Sequence, residues 1–470
     1  MKIEEAMVYL LATKMLIFTP VTHTTMNKPH NISLIAIVAT LLLWPGSAAA
    51  QTDSLKNKIS LGLEFLTHGE ICGGGLPRAA ESKENLSAFL FGRARLKVDY
   101  ERKGLQAHAV IQNSAVWGMT GNMNLGLYEG WVKMTSRHGL FAQVGRVALS
   151  YDDESIIGTN DFANAALSHD VLRAGYEGHG HKVHAILAFN QDGKNVYYGT
   201  YYASGAQLYK TMQTLWYHYD FAKFPLGGSL LFMNLGLQAG KEGDKNNPVR
   251  VEYQQVFGGY LKLHPQYFTL EGSYYRQAGQ LVDDEKLSKP VKAWMASVKG
   301  TVTPISRLTF LLGYDYLSGD DFVPMTYGGQ LGLPRHQVEG GFTPLYGSRH
   351  QFYGMLDYFY ESAYINGFTP GLQNAFAGVS GEPFTNLSCS LTYHYLAVAT
   401  PLADLSSTLG HSLELEAAYS FSKDIKLVAG YTFMMGTETM ARLKQEGSGN
   451  RAHWGWFSLV VSPSLFSGRW

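Results

Sequence analysis

The sequence predicts an all-β protein, a transmembrane antiparallel up-and-down β-barrel of about 18 strands, with 16 as the neighbouring even count. Three observations point there. Only 16% of the 470 residues are charged while 13% are aromatic; an ordinary soluble domain carries roughly 25% charge. Apolar and polar residues alternate at period two through most of the chain, and helical periodicity is nearly absent. The alternating segments run about 10–13 residues, right for tilted membrane strands and long for a sandwich. The same numbers exclude other classes. Disordered chains lack aromatics. The 38 basic and 38 acidic residues cancel, so no global field draws nucleic acid. Two cysteines cannot make a disulfide scaffold. No nucleotide motif is present, so neither a cofactor nor active transport by this chain alone is expected.

The first element is a leader. Lys28 and His30 precede an apolar run from Ile32 to Trp44, and Ala48-Ala49-Ala50 follows. A basic start, an apolar stretch and an Ala-x-Ala ending make a secretory signal peptide. The run is shorter than the roughly 20 residues of a spanning helix. Cleavage is expected after Ala50, and Met26 stands at the natural distance for the true start, which would leave 1–25 upstream. The organisation is therefore a signal peptide over 1–50 and one barrel domain over 51–470. The expected destination is the bacterial outer membrane.

Strands are expected near 57–67, 86–101, 104–114, 124–135, 139–149, 170–178, 182–191, 210–221 and 227–239. They continue near 249–263, 266–277, 291–302, 305–317, 349–359, 387–399, 411–421, 424–435 and 452–462. In 86–101, Leu90, Ala94, Leu96 and Val98 oppose Arg93, Arg95, Lys97 and Asp99. In 305–317, Leu308, Phe310, Leu312 and Tyr314 oppose Arg307, Thr309 and Asp315. In 411–421, Leu413, Leu415 and Tyr419 oppose Ser412, Glu414 and Glu416. Connections alternate between short (Arg102-Lys103, Arg137-His138, Ser422-Lys423) and long, the asymmetry of an outer-membrane barrel. One connection breaks the rule: 360–386 falls on the short side, where it would be a flap or an inward plug. Aromatic pairs at segment ends, such as Tyr201-Tyr202 and Tyr274-Tyr275, suit the interfacial girdles.

Cys72 is expected in the first long loop and Cys389 at the opposite membrane face, too far apart to bridge. His179, His181 and His184 have the nearest thing to metal-ligand spacing, and solvated turn histidines are the plainer reading. Asp152-Asp153-Glu154 and Asp320-Asp321 could offer carboxylates to Ca²⁺, with solvated loop tips the plainer reading. No metal site is expected. Ser348 and His350 are close in sequence, and so are Ser168 and His169, as a barrel hydrolase would need, but no activating constellation accompanies them.

Four stretches, in order, resemble the alginate-export porin family of outer-membrane barrels: GRVALSYDDESIIG (145–158), FTPLYGSRHQFYGMLDYFY (342–360), GLQN (371–374) with LTYHYL (391–396), and AHWGWFSLVVSP (452–463). The resemblance implies an 18-stranded diffusion channel without enzymatic activity. It also implies a lumen lined by arginine and lysine for an anionic sugar polymer. Val147, Ser155, Phe162 and Leu167 stand where that family carries Gln, Arg, Trp and Arg, while Asp170 matches its acidic position. The terminal Trp470 fits the aromatic ending that barrel-assembly machinery reads in such proteins.

With apolar faces turned to lipid, the opposite faces give the expected solute pathway. It comprises Arg93, Arg95, Lys97, Asp99, Glu129, Lys133, Arg146, Glu252, Glu271, Arg307, Asp315, Asp357, Glu414 and Glu416. The basic strand at 86–101 and acidic strands at 266–277, 349–359 and 411–421 would form opposed charged walls. The expected function is passive passage of small hydrophilic or anionic carbohydrate solutes, with the lipid bilayer, the assembly machinery and the solute as partners. A structural or adhesive barrel and a barrel hydrolase are the competing classes.

Overall fold

Alternation becomes strand pairing throughout the barrel domain. The computed structural model describes residues 57–74, 86–118, 124–191, 208–241, 243–320, 325–327, 330–332, 338–356, 359, 369–402, 405–444 and 451–470. The expected signal peptide and Asp357 lie outside them. The strands are β1 (Lys58–Gly74), β2 (Leu86–Arg102), β3 (Leu105–Val116), β4 (Asn124–Thr135), β5 (Leu140–Val147) and β6 (His169–Gly178). Next come β7 (His181–Phe189), β8 (Thr211–Asp220), β9 (Leu226–Ala239), β10 (Arg250–Leu263), β11 (Phe268–Val282) and β12 (Ser288–Ile305). The last are β13 (Leu308–Leu317), β14 (Leu372–Phe384), β15 (Leu387–Ala397), β16 (Thr408–Ser422), β17 (Ile425–Gly436) and β18 (Arg451–Val461, resuming as Ser464–Arg469).

Each strand pairs antiparallel with the next, and β18 returns to β1, so the 19 sheet segments make a closed barrel of 18 strands. The upper part of β1 pairs with Ala452–Val461 and the lower part with Ser464–Arg469. The break falls at Pro463, which has no N–H to give the ladder; its carbonyl still accepts the Leu63 N–H at 3.1 Å. Asn57 and Trp470 exchange both main-chain hydrogen bonds at the end of the seam.

The short connections lie at one end of the barrel, here the turn end, together with both termini of the barrel. At the β6–β7 connection His179 and Gly180 both have positive φ, at 52° and 82°, the requirement of a two-residue type I′ hairpin. His181 then stacks on Tyr219, while His184 enters the lumen beside Glu177, so the histidines do not converge on a metal. Cys72 lies in β1 near the loop end, and Cys389 in β15 near the turn end; both are free.

Two strand assignments need correction. Residues 349–359 were expected as a strand, but Arg349–Gln351 is a 3₁₀ turn inside the lumen. The barrel strand is instead β14, within the segment expected as flap or plug. Its Gly-Val-Ser-Gly run carries little apolar alternation, whereas 349–359 alternates in sequence and its described residues 349–356 form no strand. The exchange keeps the strand number and shortens the anomalous turn-end connection to residues 385–386.

The outward face is apolar and bare: Leu125, Leu230 and Leu312 are 69%, 65% and 70% exposed. The inward faces were expected to be polar, and around half the barrel they are not. Ile186, Met212, Leu231, Met233, Leu235, Val256, Val291 and Met295 point inward and are buried. They pack against Leu149, Tyr151, Ile156, Ile157, Phe342 and Tyr346, which come from the long connections. The hydrophobic core of this molecule sits inside the barrel. Burying each large side chain there contributes on the order of 1.5–3 kcal/mol.

Candidate functional site: the constricted lumen

Two connections enter the lumen from the loop end. The inner β5–β6 segment (148–168) leaves β5 and turns sharply, with positive φ at Asp152, Glu154, Asn160 and Ala166. The inner β13–β14 segment (338–356) lies against it. Main-chain bonds join them: Gly158 N donates to Tyr346 O at 2.7 Å, Tyr346 N to Ile156 O at 3.1 Å, and Ser348 N to Glu154 O at 3.0 Å. The Ser348 hydroxyl donates to the Glu154 carboxylate and accepts the Asn160 N–H. Glycine permits this approach. A Cβ on Gly347 would lie 2.5 Å from Ser155 O, and one on Gly158 would lie 2.8 Å from Ser348 N.

Carboxylates fix the pair to the wall. Asp152 accepts hydrogen bonds from Ser229 Oγ at 2.5 Å and Trp216 Nε1 at 3.1 Å. Asp153 accepts the Ser155 N–H. The acidic run therefore splits among three separate sets of partners and forms no cation cage. Burial pushes both the Asp152 and Asp153 carboxyls up, and the Ser229 and Trp216 bonds pull Asp152 part of the way back. Asp320 lies buried at the root of the second segment and accepts the N–H groups of Gly340, Gly341 and Thr369. Beside it, burial and the Asp320 charge push the Glu339 carboxyl up to about 7. On the far side, Phe162 stacks on His350 at 3.6 Å and meets Trp456 edge-on.

The expected lumen residues mostly serve this arrangement. Arg93 and Arg95 are 5% and 4% exposed. Both pair with Glu64 and with Asp161 of the first inward segment, and Arg93 also donates to the Asp161 and Ala163 carbonyls. Lys97 completes the set on Glu64 at 2.6 Å. Asp99 meets His108. Glu129 accepts the Ala148 N–H at the root of the segment, and Lys133 reaches Glu177. Glu252 pairs with Arg250, and Glu271 lies between Lys262 and Lys299 at 2.7 Å each. Asp315 is held by Ser297 and Asn374, and Glu414 accepts the Met355 N–H. Arg307 and Glu416 line a turn-end recess of about 390 Å³.

Arg146 is a correction. It projects in phase with the exposed Leu140 and Val144, opposite to the buried Phe141, Gln143 and Val147, and pairs with Asp170 on the outer wall. The opposed charged walls also change character. β2 and β11 do lie across the barrel, but Arg93, Arg95 and Lys97 are matched by Glu64 and Asp161, and Glu271 by two lysines.

The partners that sequence reasoning missed are Glu64, Asp161, Phe162 and the seam. In the seam His68 Nδ1 lies 2.6 Å from Ser458 Oγ and its Nε2 lies 2.9 Å from Glu70, which also accepts Trp454 Nε1. Hydroxyl, imidazole and carboxylate are in the order of a hydrolytic triad. Phe91, Phe162 and Trp456 nevertheless pack around the imidazole, and Ser458 is buried. The network closes the barrel. The expected serine–histidine neighbours do not pair either: Ser348 bonds to Glu154, and His169 lies 2.9 Å from Tyr209 Oη.

No family model matches the chain, and no curated protein matches it. Solved structures do match. Pseudomonas aeruginosa OccK11 (OpdR) aligns with a TM-score of 0.54 and 12% identity over 87% of this chain and 96% of that one. Acinetobacter baumannii OccAB1 gives 0.57 and 11% over 87% and 97%. A BenF-like porin from Pseudomonas fluorescens Pf-5 gives 0.56 and 11% over 87% and 99%. These likenesses are to porin-type barrels other than alginate exporters, and at such identities they establish a shared fold.

Proposed function

We propose that this chain is a bacterial outer-membrane channel for passive diffusion of small hydrophilic solutes. The observation that carries the reading is the lumen, narrowed by two inward segments that are bonded to each other and to the wall. A barrel that only displayed its loops would need no such internal framework. The polar atoms of the lumen suit hydrated, uncharged or weakly charged solutes. An anionic polymer is the poorer fit, because Arg93, Arg95 and Lys97 are already bonded to carboxylates. No enzymatic role is proposed. Trp470, 64% exposed at the seam, is proposed to serve recognition by the assembly machinery, and the leader over 1–50 to direct export.

The test is swelling of proteoliposomes in sugars of increasing size. The wild type should admit small sugars and slow sharply with size. Asp152→Ala removes the tie to Trp216 and Ser229, leaving buried donors at a cost of about 1–3 kcal/mol. It should speed entry of the larger sugars. Correctly inserted protein that admits no sugar would overturn the channel and favour the adhesive reading.

A further inference from the structure

Charge is costly on a lipid-facing wall, most for Arg or Lys at the bilayer midplane and little near the interface. Arg146 meets this cost with Asp170. Arg276 of β11 and Lys292 of β12 have no such partner among the described residues. Both are exposed and project in phase with exposed Tyr274 and Trp294, out of phase with buried Tyr275, Gln277, Val291 and Ala293.

The register places them at a border. Arg276 stands between Phe257 and Trp294. Lys292 is level with Ala278, and Ala278 with Gln255. From Gln255 a row of amides continues outward-facing along the same level: Gln255 Nε2 donates to Asn234 Oδ1 at 2.8 Å, and Asn234 Nδ2 to Gln213 Oε1 at 2.7 Å. Toward the turn end, the same face is exposed Leu and aromatic residues. The apolar face gives way to polar side chains at this row, with exposed Phe189 and Tyr253 one level beyond it toward the loop end.

We propose that the outer wall of β10–β12 binds the phosphate of a membrane-lipid headgroup, with Arg276 and Lys292 as the cations and Gln255 as a polar neighbour. The proposal rests on the membrane reading above. A phosphate there would gain two charge-assisted partners, and Phe257, Tyr274 and Trp294 would take the lipid body below it. Anionic headgroups attract cations placed at the membrane interface. A soluble anion would use the charges and leave the aromatic shelf empty, whereas a lipid uses both.

The experiment measures retention of diphosphoryl lipid A by the mature barrel in nonionic detergent, by native mass spectrometry. The wild type should retain lipid A and prefer it to phosphatidylcholine. Arg276→Gln/Lys292→Gln should cut the retained fraction at least about tenfold, two lost charge-assisted contacts being ample for that. Arg146→Gln, which also removes one outer-wall cation, should retain it. Arg276→Lys guards against misfolding, since it keeps the charge and should keep the lipid. No retention by the wild type, or equal retention by the double glutamine variant, overturns the proposal. Full competition by inorganic phosphate would also overturn it, in favour of a free-anion site. Conductance in planar bilayers is read separately: a barrel that conducts but retains no lipid A fails only here, while one that never inserts fails the membrane reading.

Discussion

Single side chains in this barrel act mainly as ties. Arg93 and Arg95 look in sequence like a bare cationic ladder, yet each is spent on Glu64 and Asp161. Reversing both to Glu would set like charges against those partners in a buried place, where breaking ion pairs costs about 3–5 kcal/mol. The expected outcome is release of the first inward segment, read as a larger and noisier single-channel conductance. A change in ion selectivity at unchanged conductance would contradict the tie. Glu339 supplies the pH-dependent case. Partial burial and the neighbouring Asp320 charge push its carboxyl up from an ordinary 4.5 to about 7 in the folded protein. A raised carboxyl favours the protonated folded form, so its stabilisation is complete below about 4.5 and is lost as pH rises to about 7. Glu339→Gln should therefore match the wild type in thermal unfolding at pH 4.5 and exceed it at pH 8. Parallel pH profiles would show that the Glu339–Asp320 carboxyl pair does not matter.

At the scale of elements, the two inward segments behave as one body because their backbones touch. Gly347→Val would place atoms where Ser155 O and Glu154 O now lie, 2.5 and 2.9 Å from the position of a Cβ, and backbone cannot yield as a side-chain tip can. The segments should part, and conductance should rise by an amount that adding Asp152→Ala does not double. Independent, additive increases would mean two separate loops. The elements differ in how far the sequence disclosed them. Strands such as β2 and β16, with one face charged and the other apolar, are legible from alternation alone. β14 is not, because Gly378, Ser380 and Gly381 blur its alternation, while the 349–359 stretch alternates although its described residues 349–356 form no strand. The inner core left a signal that period-two reading passes over. In β9, Leu230-Leu231-Phe232-Met233 is apolar on both faces, and a strand apolar on both faces is covered on both. The charged half of the site was legible as residues but not as pairs, since Glu64 and Asp161 reach β2 from elsewhere in the chain.

At the scale of the whole molecule, closure replaces a conventional core as the condition for folding. Every barrel strand has two neighbours, so the barrel sheet itself has no edge to pair with another chain. The seam between β1 and β18 is the one place where that condition depends on residues far apart in sequence, and it is made in two parts. Above Pro463 it is reinforced by His68, Ser458, Glu70 and Trp454. Below, it rests on main-chain bonds from Lys58↔Arg469 to Gly62↔Ser464 and on the Asn57–Trp470 pair. Removing 464–470 would strip partners from the lower β1 while leaving the upper seam and the inward segments untouched. In a bilayer each unpaired backbone group costs several kcal/mol, more in sum than the roughly 5–15 kcal/mol margin of a folded protein. The truncated chain should therefore fail to give the compact, heat-modifiable band on gels after refolding into detergent or lipid. Trp470→Ala keeps the backbone pairing and should still give that band in vitro. If the truncated chain folds as well as the full one, the upper seam alone closes the barrel and the lower strand is dispensable.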